Sequence, residues 1–334
     1  MVCRDMPVPD LQQDDQVLVR MQTVGVCGSD VHYYVSGKIG SQVVSYPFAV
    51  GHEGAGIVEK AGSAVKHLRP GDRVAIEPAM PCFACDQCLS GRPHTCRNLR
   101  FLGCPGQAEG CLSEYIVMPA SSCLKIPSSM TMEQAAISEP LAIGAYAVKL
   151  SGMRKGMKVG ILGSGPIGMS VLSASLIAGA GAVYVTDKLD ERLALAAQSG
   201  ATWTGNILWQ HVVSEILHQE PRHLDMVFEC CGQQEALDQA VELLCPGGKL
   251  AVVGIPSFDR FSFPVDALRR KEICIQNVRR QNGCAEDALH WIASGMVQVD
   301  HWVTHRFPLE AAREAFELVA GYQDGVMKAM IEIG

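Results

Sequence analysis

Lys158-Val159-Gly160-Ile161-Leu162-Gly163-Ser164-Gly165-Pro166-Ile167-Gly168 starts as a short apolar run and passes into three glycines spaced G-x-G-x-x-G. The first five residues read as a buried strand, and Met169 to Ala178 reads as the helix that follows the loop. Val183 to Thr186 is a second apolar, β-branched run, and it ends at the acid Asp187. A bare glycine triplet says little, but strand, glycine loop, helix, strand and terminal acid together form the dinucleotide fingerprint in its structural context. Gly163 allows the tight turn, Gly165 lets backbone N–H groups approach a pyrophosphate at the helix start, and Gly168 lets helix and sheet pack closely. Pro166 and Ile167 complete the loop. Asp187 would accept hydrogen bonds from adenosine ribose hydroxyls and repel a 2′-phosphate, so NAD is expected over NADP. Lys188 and Arg192 stand beside this acid and belong to the same expected cofactor site.

The alternation continues downstream. A helix is expected over Arg192 to Ser199, a strand over Met226 to Glu229 and a helix over Glu235 to Leu244. Pro246-Gly247-Gly248 then turns into the strand Lys249 to Ile255, a short helix covers Val265 to Arg270, and a strand runs from Ile273 to Val278. Such alternation predicts an α/β fold with a doubly wound parallel sheet. The helical pattern from Glu286, the β-like Val303 to Phe307, the helix Leu309 to Ala320 and the strand Ala329 to Ile333 are too many elements for that sheet alone. The tail is therefore expected to cross back and complete the first domain. The expected division is 1–141 with 284–334, and 142–283.

Upstream the chain is β-rich and turn-rich. Gln16 to Val24 alternates as a half-buried strand and delivers Gly25-Val26-Cys27-Gly28-Ser29-Asp30-Val31-His32-Tyr33. Read alone, this segment is either a cluster of chemical groups or a helix start with Ser29 or Asp30 as N-cap and Cys27 as filler. Gly51-His52-Glu53-Gly54 puts two metal-competent side chains at the entry of another β-like run. Lys66 to Val74 turns at Pro70-Gly71-Asp72, Gly110 to Val117 and Cys123 to Pro127 read as strands, and Thr131 opens a helix that runs to Ser138-Glu139-Pro140-Leu141. Glu139, in apolar company, is either a group of an open metal site or a surface carboxylate at a helix end.

Cys82, Cys85, Cys88 and Cys96 are spaced x2, x2, x7. Short C-x-x-C turns bring sulfurs to one side of a loop, which suits one tetrahedral Zn²⁺. Four thiolates close the coordination sphere, so this metal would staple a lobe and the chemistry needs a separate, open site.

Composition narrows the class. A chain of 334 residues suggests two domains. Its net charge of −7 argues against nucleic acid or an anionic membrane as partner. The 14 cysteines sit in a long chain with ample apolar content and metal-type spacing, which points to reduced thiols rather than a disulfide framework. No apolar h-region opens the chain and no run of about 18 apolar residues follows, so cytoplasm is expected.

Cys27-Gly28-Ser29-Asp30, Gly51-His52-Glu53, the four-cysteine lobe, Glu139-Pro140-Leu141 and the 163–168 glycine loop occur in the order seen in zinc-dependent medium-chain dehydrogenases. Within them the chain most resembles the sorbitol (L-iditol 2-) or polyol dehydrogenase branch. That resemblance is carried by Gly28 to Tyr33, Ser63 to Pro78 and Val303 to Glu310. It implies a GroES-like catalytic domain, a Rossmann domain with a cleft between the two, and a homo-oligomer, tetramer before dimer. The family usually carries a further strand before the equivalent of Arg4 to Pro9, so part of a β-hairpin is expected to be missing. Animal sorbitol enzymes commonly show an aromatic after the first Arg of Val278-Arg279-Arg280, where this chain has a second Arg.

Carried over residue by residue, the resemblance implies a catalytic Zn²⁺ on Cys27, His52 and Glu53, with Glu139 or water in the remaining position. Ser29 and His32 would relay a proton, while Tyr33 and Arg279, with Glu139, would bind the other hydroxyls of a polyol. Two zinc ions per chain and NAD are the implied cofactors, and a ketose is the implied product. Alternative substrates are L-threonine, a sugar acid or a polyol phosphate, the last two favoured if Arg280 joins Arg279 toward an anion. Strand alternation instead turns Arg280 away and leaves a neutral polyol. A non-enzymatic zinc- and nucleotide-binding protein with a structural or redox-sensing role is the reading from another class.

Overall fold

The computed structural model describes residues 1–334. The chain divides into two compact units, Met1–Glu139 with Ala285–Gly334, and Pro140–Cys284. None of its helices is long and apolar enough to cross a membrane.

The first unit is built on a seven-stranded sheet. Its order is Val303–Pro308, Lys328–Glu332, Gln16–Gly25, Glu53–Ala61, Arg73–Ile76 and Cys123–Lys125, with Tyr115–Pro119 paired alongside Gln16–Gly25. Val17, Val19, Met21 and Val24 of the central strand are buried together with Val58, Val74, Met118 and Ile331. The C-terminal strand pairs antiparallel with the central one, placing Val24 opposite Ile331 and Gly25 opposite Met330. The tail thus returns to close this sheet. The helix Ala312–Ala320 buries Ala312, Ala315 and Phe316, and Phe316 meets Tyr34 edge-on at 5.5 Å between ring centroids.

The second unit holds a six-stranded parallel sheet. Its order is Trp203–Asn206, Ala182–Asp187, Lys158–Leu162, Leu224–Glu229, Leu244–Val252 and Cys274–Asn277. This is the doubly wound arrangement, in which the strand order reverses around the first strand and ligands bind outside the carboxyl ends. Leu162 pairs with Thr186 on one side and Glu229 on the other, so Gly163, Asp187 and Glu229 gather at that edge.

Several expected boundaries move. The helix that Thr131 opens runs from Met132 to Ser151 and passes through Pro140. Its start is a reciprocal cap, since Gln134 N–H donates to Thr131 Oγ1 at 3.1 Å and Thr131 N–H to Gln134 Oε1 at 2.9 Å. Proline removes one donor of the ladder without ending a helix that continues to bury apolar residues on both sides of it. The strand expected over 110–117 lies at Tyr115–Pro119 and follows turns. Pro246-Gly247-Gly248 lies inside the strand Leu244–Val252, where the register shifts. Trp203–Asn206 and the helix Val212–Gln219 have no counterpart in the sequence reading.

Candidate functional site

Strand register assembles the first cluster. Gly25 pairs with Glu53, so the central strand leaves the sheet beside the His52-Glu53 entry of its neighbour. A Cβ on Gly25 would overlap the Glu53 carboxylate. Gly51 has φ 96° and packs against Val24 and the backbone of Leu112, a conformation and a clearance that favour glycine. Cys27 then caps the helix Gly28–Ser36 by its backbone alone, so neither Ser29 nor Asp30, the caps of the alternative reading, serves there. One ligand atom each of Cys27, His52 and Glu53 lie within 4.8 Å of one another.

Two side chains that the sequence reading gave no role in the site hold this set. Asp30 is fully buried, accepts the Gly51 N–H at 3.1 Å and stands 3.3 Å from His52 Nδ1. Such a carboxylate fixes the tautomer and orientation of a metal-binding imidazole. Lys328, from the C-terminal strand, is 2% exposed, and its Nζ lies 2.5 Å from Glu53 Oε2 and 3.2 Å from Val26 O. No local pattern announces either pairing. Asp30 reads as a helix-start residue, and Lys328 is 275 residues from its partner.

The electrostatics suit a cation. Burial opposes a charge on His52, yet Asp30 and Cys27 more than offset it and raise its pKa well above the ordinary value. Glu139, 9% exposed, is pushed up to about 8 by burial and by the like charges of Glu53 and Glu77. A half-buried thiol, a buried imidazole and two buried carboxylates that repel one another fit a divalent metal. Ser29 Oγ donates toward Cys27 Sγ at 3.4 Å. His32 is half-buried, and burial lowers its pKa. Tyr33 is buried, and burial together with the neighbouring Cys104 thiol raises its pKa.

The cysteine lobe is a second set. Cys82, Cys85, Cys88 and Cys96 place their sulfurs within 4.8 Å of one another. The sulfur–sulfur separations include 3.4 Å (Cys82–Cys96), 3.6 Å (Cys85–Cys88) and 3.8 Å (Cys85–Cys96). A tetrahedron with Zn–S bonds of ~2.3 Å has edges of about 3.8 Å, so the lobe has the dimensions of a closed zinc site. Backbone N–H groups of Arg97 and Cys88 bring the Cys85 thiol down to about 6, while burial and the neighbouring thiols push that of Cys88 up to about 12. None of the 14 cysteines is in a disulfide.

The nucleotide fingerprint closes around Asp187. Its Oδ2 accepts the Ser164 N–H at 2.7 Å, and its Oδ1 accepts those of Lys188 at 2.8 Å and Leu189 at 3.0 Å. Gly163 has φ 98°, Pro166 begins the helix Pro166–Ile177, and Ile167 follows in its first turn. A Cβ on Gly168 would overlap Gly163 O. Arg192 is buried, with a guanidinium nitrogen 3.2 Å from where a Cβ of Gly165 would stand, and Lys188 is exposed. Ser164 Oγ and Glu229 Oε2 are buried here without hydrogen-bond partners. Unsatisfied polar atoms beside a glycine loop at a helix N-terminus fit a dinucleotide.

Arg279 belongs to this second unit and is exposed. The alternation argument for Arg280 does not apply, because the strand ends at Asn277 and Arg280 adopts φ 54°, half-buried beyond it.

Residues 13–128 match the alcohol dehydrogenase GroES-like domain and residues 166–294 the family described as zinc-binding dehydrogenase. The chain is 36% identical to sorbitol dehydrogenase of Bacillus subtilis (strain 168) over 327 residues, spanning 98% of this chain and 92% of that protein. It is 38% identical to sorbitol dehydrogenase of Mus musculus over 314 residues, 93% of this chain and 87% of that protein. Among solved structures, galactitol-1-phosphate dehydrogenase from Escherichia coli superposes with a TM-score of 0.89 at 27% identity, covering 98% and 96% of the two chains.

Proposed function

We propose that this chain, which belongs to the zinc-binding dehydrogenases with an alcohol dehydrogenase GroES-like domain, oxidises a secondary alcohol of a neutral polyol to the ketose with NAD as acceptor. Sorbitol, L-iditol and xylitol are the substrate type. The reading is carried by one observation, the converging Cys27, His52 and Glu53 set backed by the buried Asp30 and Lys328. The names of the sorbitol dehydrogenase relatives support the substrate class.

Cys27, His52 and Glu53 would hold the catalytic Zn²⁺, with Glu139 or water in the remaining position, and Cys82, Cys85, Cys88 and Cys96 would hold a second, structural one. When bound, the catalytic zinc lowers the pKa of the alcohol and NAD supplies the hydride acceptor. Ser29 Oγ, beside Cys27, takes the released proton and hands it to the half-buried His32. Tyr33 binds a hydroxyl next to the reacting carbon, and Arg279 is the second hydroxyl-binding residue of this reading. Gly163 to Gly168 receive the pyrophosphate, Asp187 favours NAD, and Lys188 and Arg192 flank the nucleotide. The same reading includes a homo-oligomer, tetramer before dimer, in the cytoplasm. The open edge of Cys274–Asn277 gives a subunit contact a place to form.

NAD⁺ reduction by the zinc-loaded protein, screened over neutral polyols, L-threonine, sugar acids and polyol phosphates, tests the proposal. The expected result is the highest kcat/KM for a neutral polyol. A higher value for a polyol phosphate or sugar acid, lost in Arg280→Ala, would overturn it in favour of an anionic substrate held by Arg279 and Arg280.

A further inference from the structure

Three elements of the first unit bring a polar trio together next to His52. The helix Gly28–Ser36 supplies Tyr33. The two-stranded ribbon that pairs Ile39 with Gln42 supplies Gln42, and the turn after Phe101 supplies Cys104. Tyr33 O–H donates to Gln42 Oε1 at 3.2 Å, and Gln42 Nε2 donates to Cys104 Sγ at 2.8 Å. Tyr33 and Cys104 are 6% and 3% exposed. Phe101, three residues before Cys104, packs on the His52 ring at 5.6 Å between centroids.

A phenol has one proton, and a carboxamide has one accepting oxygen and two N–H groups. The Cys104 thiol also lies within hydrogen-bonding reach of the phenol; with the Tyr33 proton committed to the Gln42 oxygen, the Tyr33 oxygen presents only lone pairs to its other neighbours. The Cys104 sulfur fixes the amide orientation by occupying a Gln42 N–H. We propose that Gln42 is a positioning residue that makes Tyr33 a hydrogen-bond acceptor toward the substrate. Substrate hydroxyls, which carry a proton to donate, are then favoured at this corner, and the proton-free oxygens of a carboxylate or phosphate are disfavoured. The inference rests on the polyol reading above and adds the residue that enforces neutrality.

The test compares wild type, Gln42→Leu, Gln42→Glu, Tyr33→Phe and the double variant Gln42→Leu/Tyr33→Phe, all zinc-loaded, with xylitol and xylitol phosphate. Gln42→Leu is expected to raise KM for xylitol about tenfold with little change in kcat, the loss of roughly one oriented hydrogen bond. It should also narrow the preference for xylitol over its phosphate, leave the Kd for NADH unchanged and add nothing in the Tyr33→Phe background. Gln42→Glu keeps the accepting oxygen and should restore the preference. Equal losses on both substrates, or additive effects of the two substitutions, would overturn the proposal. A substrate-free reading separates its failure from that of the polyol assignment. The tyrosine doublet in the ultraviolet resonance Raman spectrum reports whether Tyr33 donates. Loss of the donor signature in Gln42→Leu, with retention in Gln42→Glu, supports the role of Gln42 even if no polyol is oxidised. A signature unchanged in Gln42→Leu overturns it.

Discussion

At residue scale, Lys328 and Glu53 are a fully desolvated ion pair with exposures of 2% and 1%. Two charges removed from water gain little net stability, but deleting one partner leaves the other buried and uncompensated. Lys328→Met is therefore expected to destabilise the metal-free protein by about 3–5 kcal/mol, measured as a shift in the urea midpoint. The loss should shrink when zinc is supplied, since a cation on the Cys27, His52 and Glu53 set would neutralise the same carboxylate. A variant as stable as wild type without metal would contradict this account of Glu53. Asp187 is engaged differently. Its three amide contacts mean that Asp187→Ala both removes the acid proposed to select the nucleotide and frees the Ser164 amide of the glycine loop. The Kd for NADH should rise and the gap to NADPH should narrow; an unchanged ratio would remove Asp187 from the selectivity argument.

At element scale, the turn between the strands Glu53–Ala61 and Arg73–Ile76 depends on one carboxylate. Lys125 Nζ lies 2.7 Å from Asp72 Oδ1, and the Arg69 N–H donates to Asp72 Oδ2 at 3.0 Å. The Lys125 contact, helped by the Arg69 amide and opposed by burial, holds the carboxyl below its ordinary 3.8. A depressed acid contributes stability that is fully present above that ordinary value and is lost as pH falls through the folded one. Asp72→Asn should thus cost about 1 kcal/mol near neutrality, and the difference in Tm from wild type should fade below about pH 4. A difference that persists at low pH would assign the effect to packing instead.

At the scale of the whole molecule, the proposed function gives each unit its own binding task. The metal donor sets lie in the first unit and the glycine loop in the second. Metal analysis should find two zinc ions per chain. Cys85→Ser should lower this to one and reduce thermal stability, because metal affinity of a closed thiolate site is folding free energy. His52→Ala should lose the other zinc and nearly all turnover while binding NADH with unchanged Kd. Loss of NADH binding in His52→Ala would show that the two tasks are not separable.

Local pattern was enough wherever chemistry and backbone coincide within a short window. Gly163, Gly165, Gly168 and Asp187 are spaced by a single strand–turn–helix–strand unit, and Cys82 to Cys96 by a single loop. Their spacing is itself the geometry. The same is true of Gly51-His52-Glu53, where the glycine that φ 96° demands sits next to the donors. Boundaries were less legible when tertiary packing overrode a local signal, as where the helix continues through Pro140 because residues on both sides of it are buried. Contacts made across the chain were not legible at all. Asp30 against His52, Lys328 against Glu53 and Gln42 between Tyr33 and Cys104 depend on strand register, ribbon placement and the return of the tail. By itself the sequence determined which donors and which glycine loop this protein possesses, because their spacing lies within single turns. Only the tertiary structure decided which buried charge or amide each donor faces, because that follows from pairings between residues far apart in the chain, 275 positions for Lys328 and Glu53.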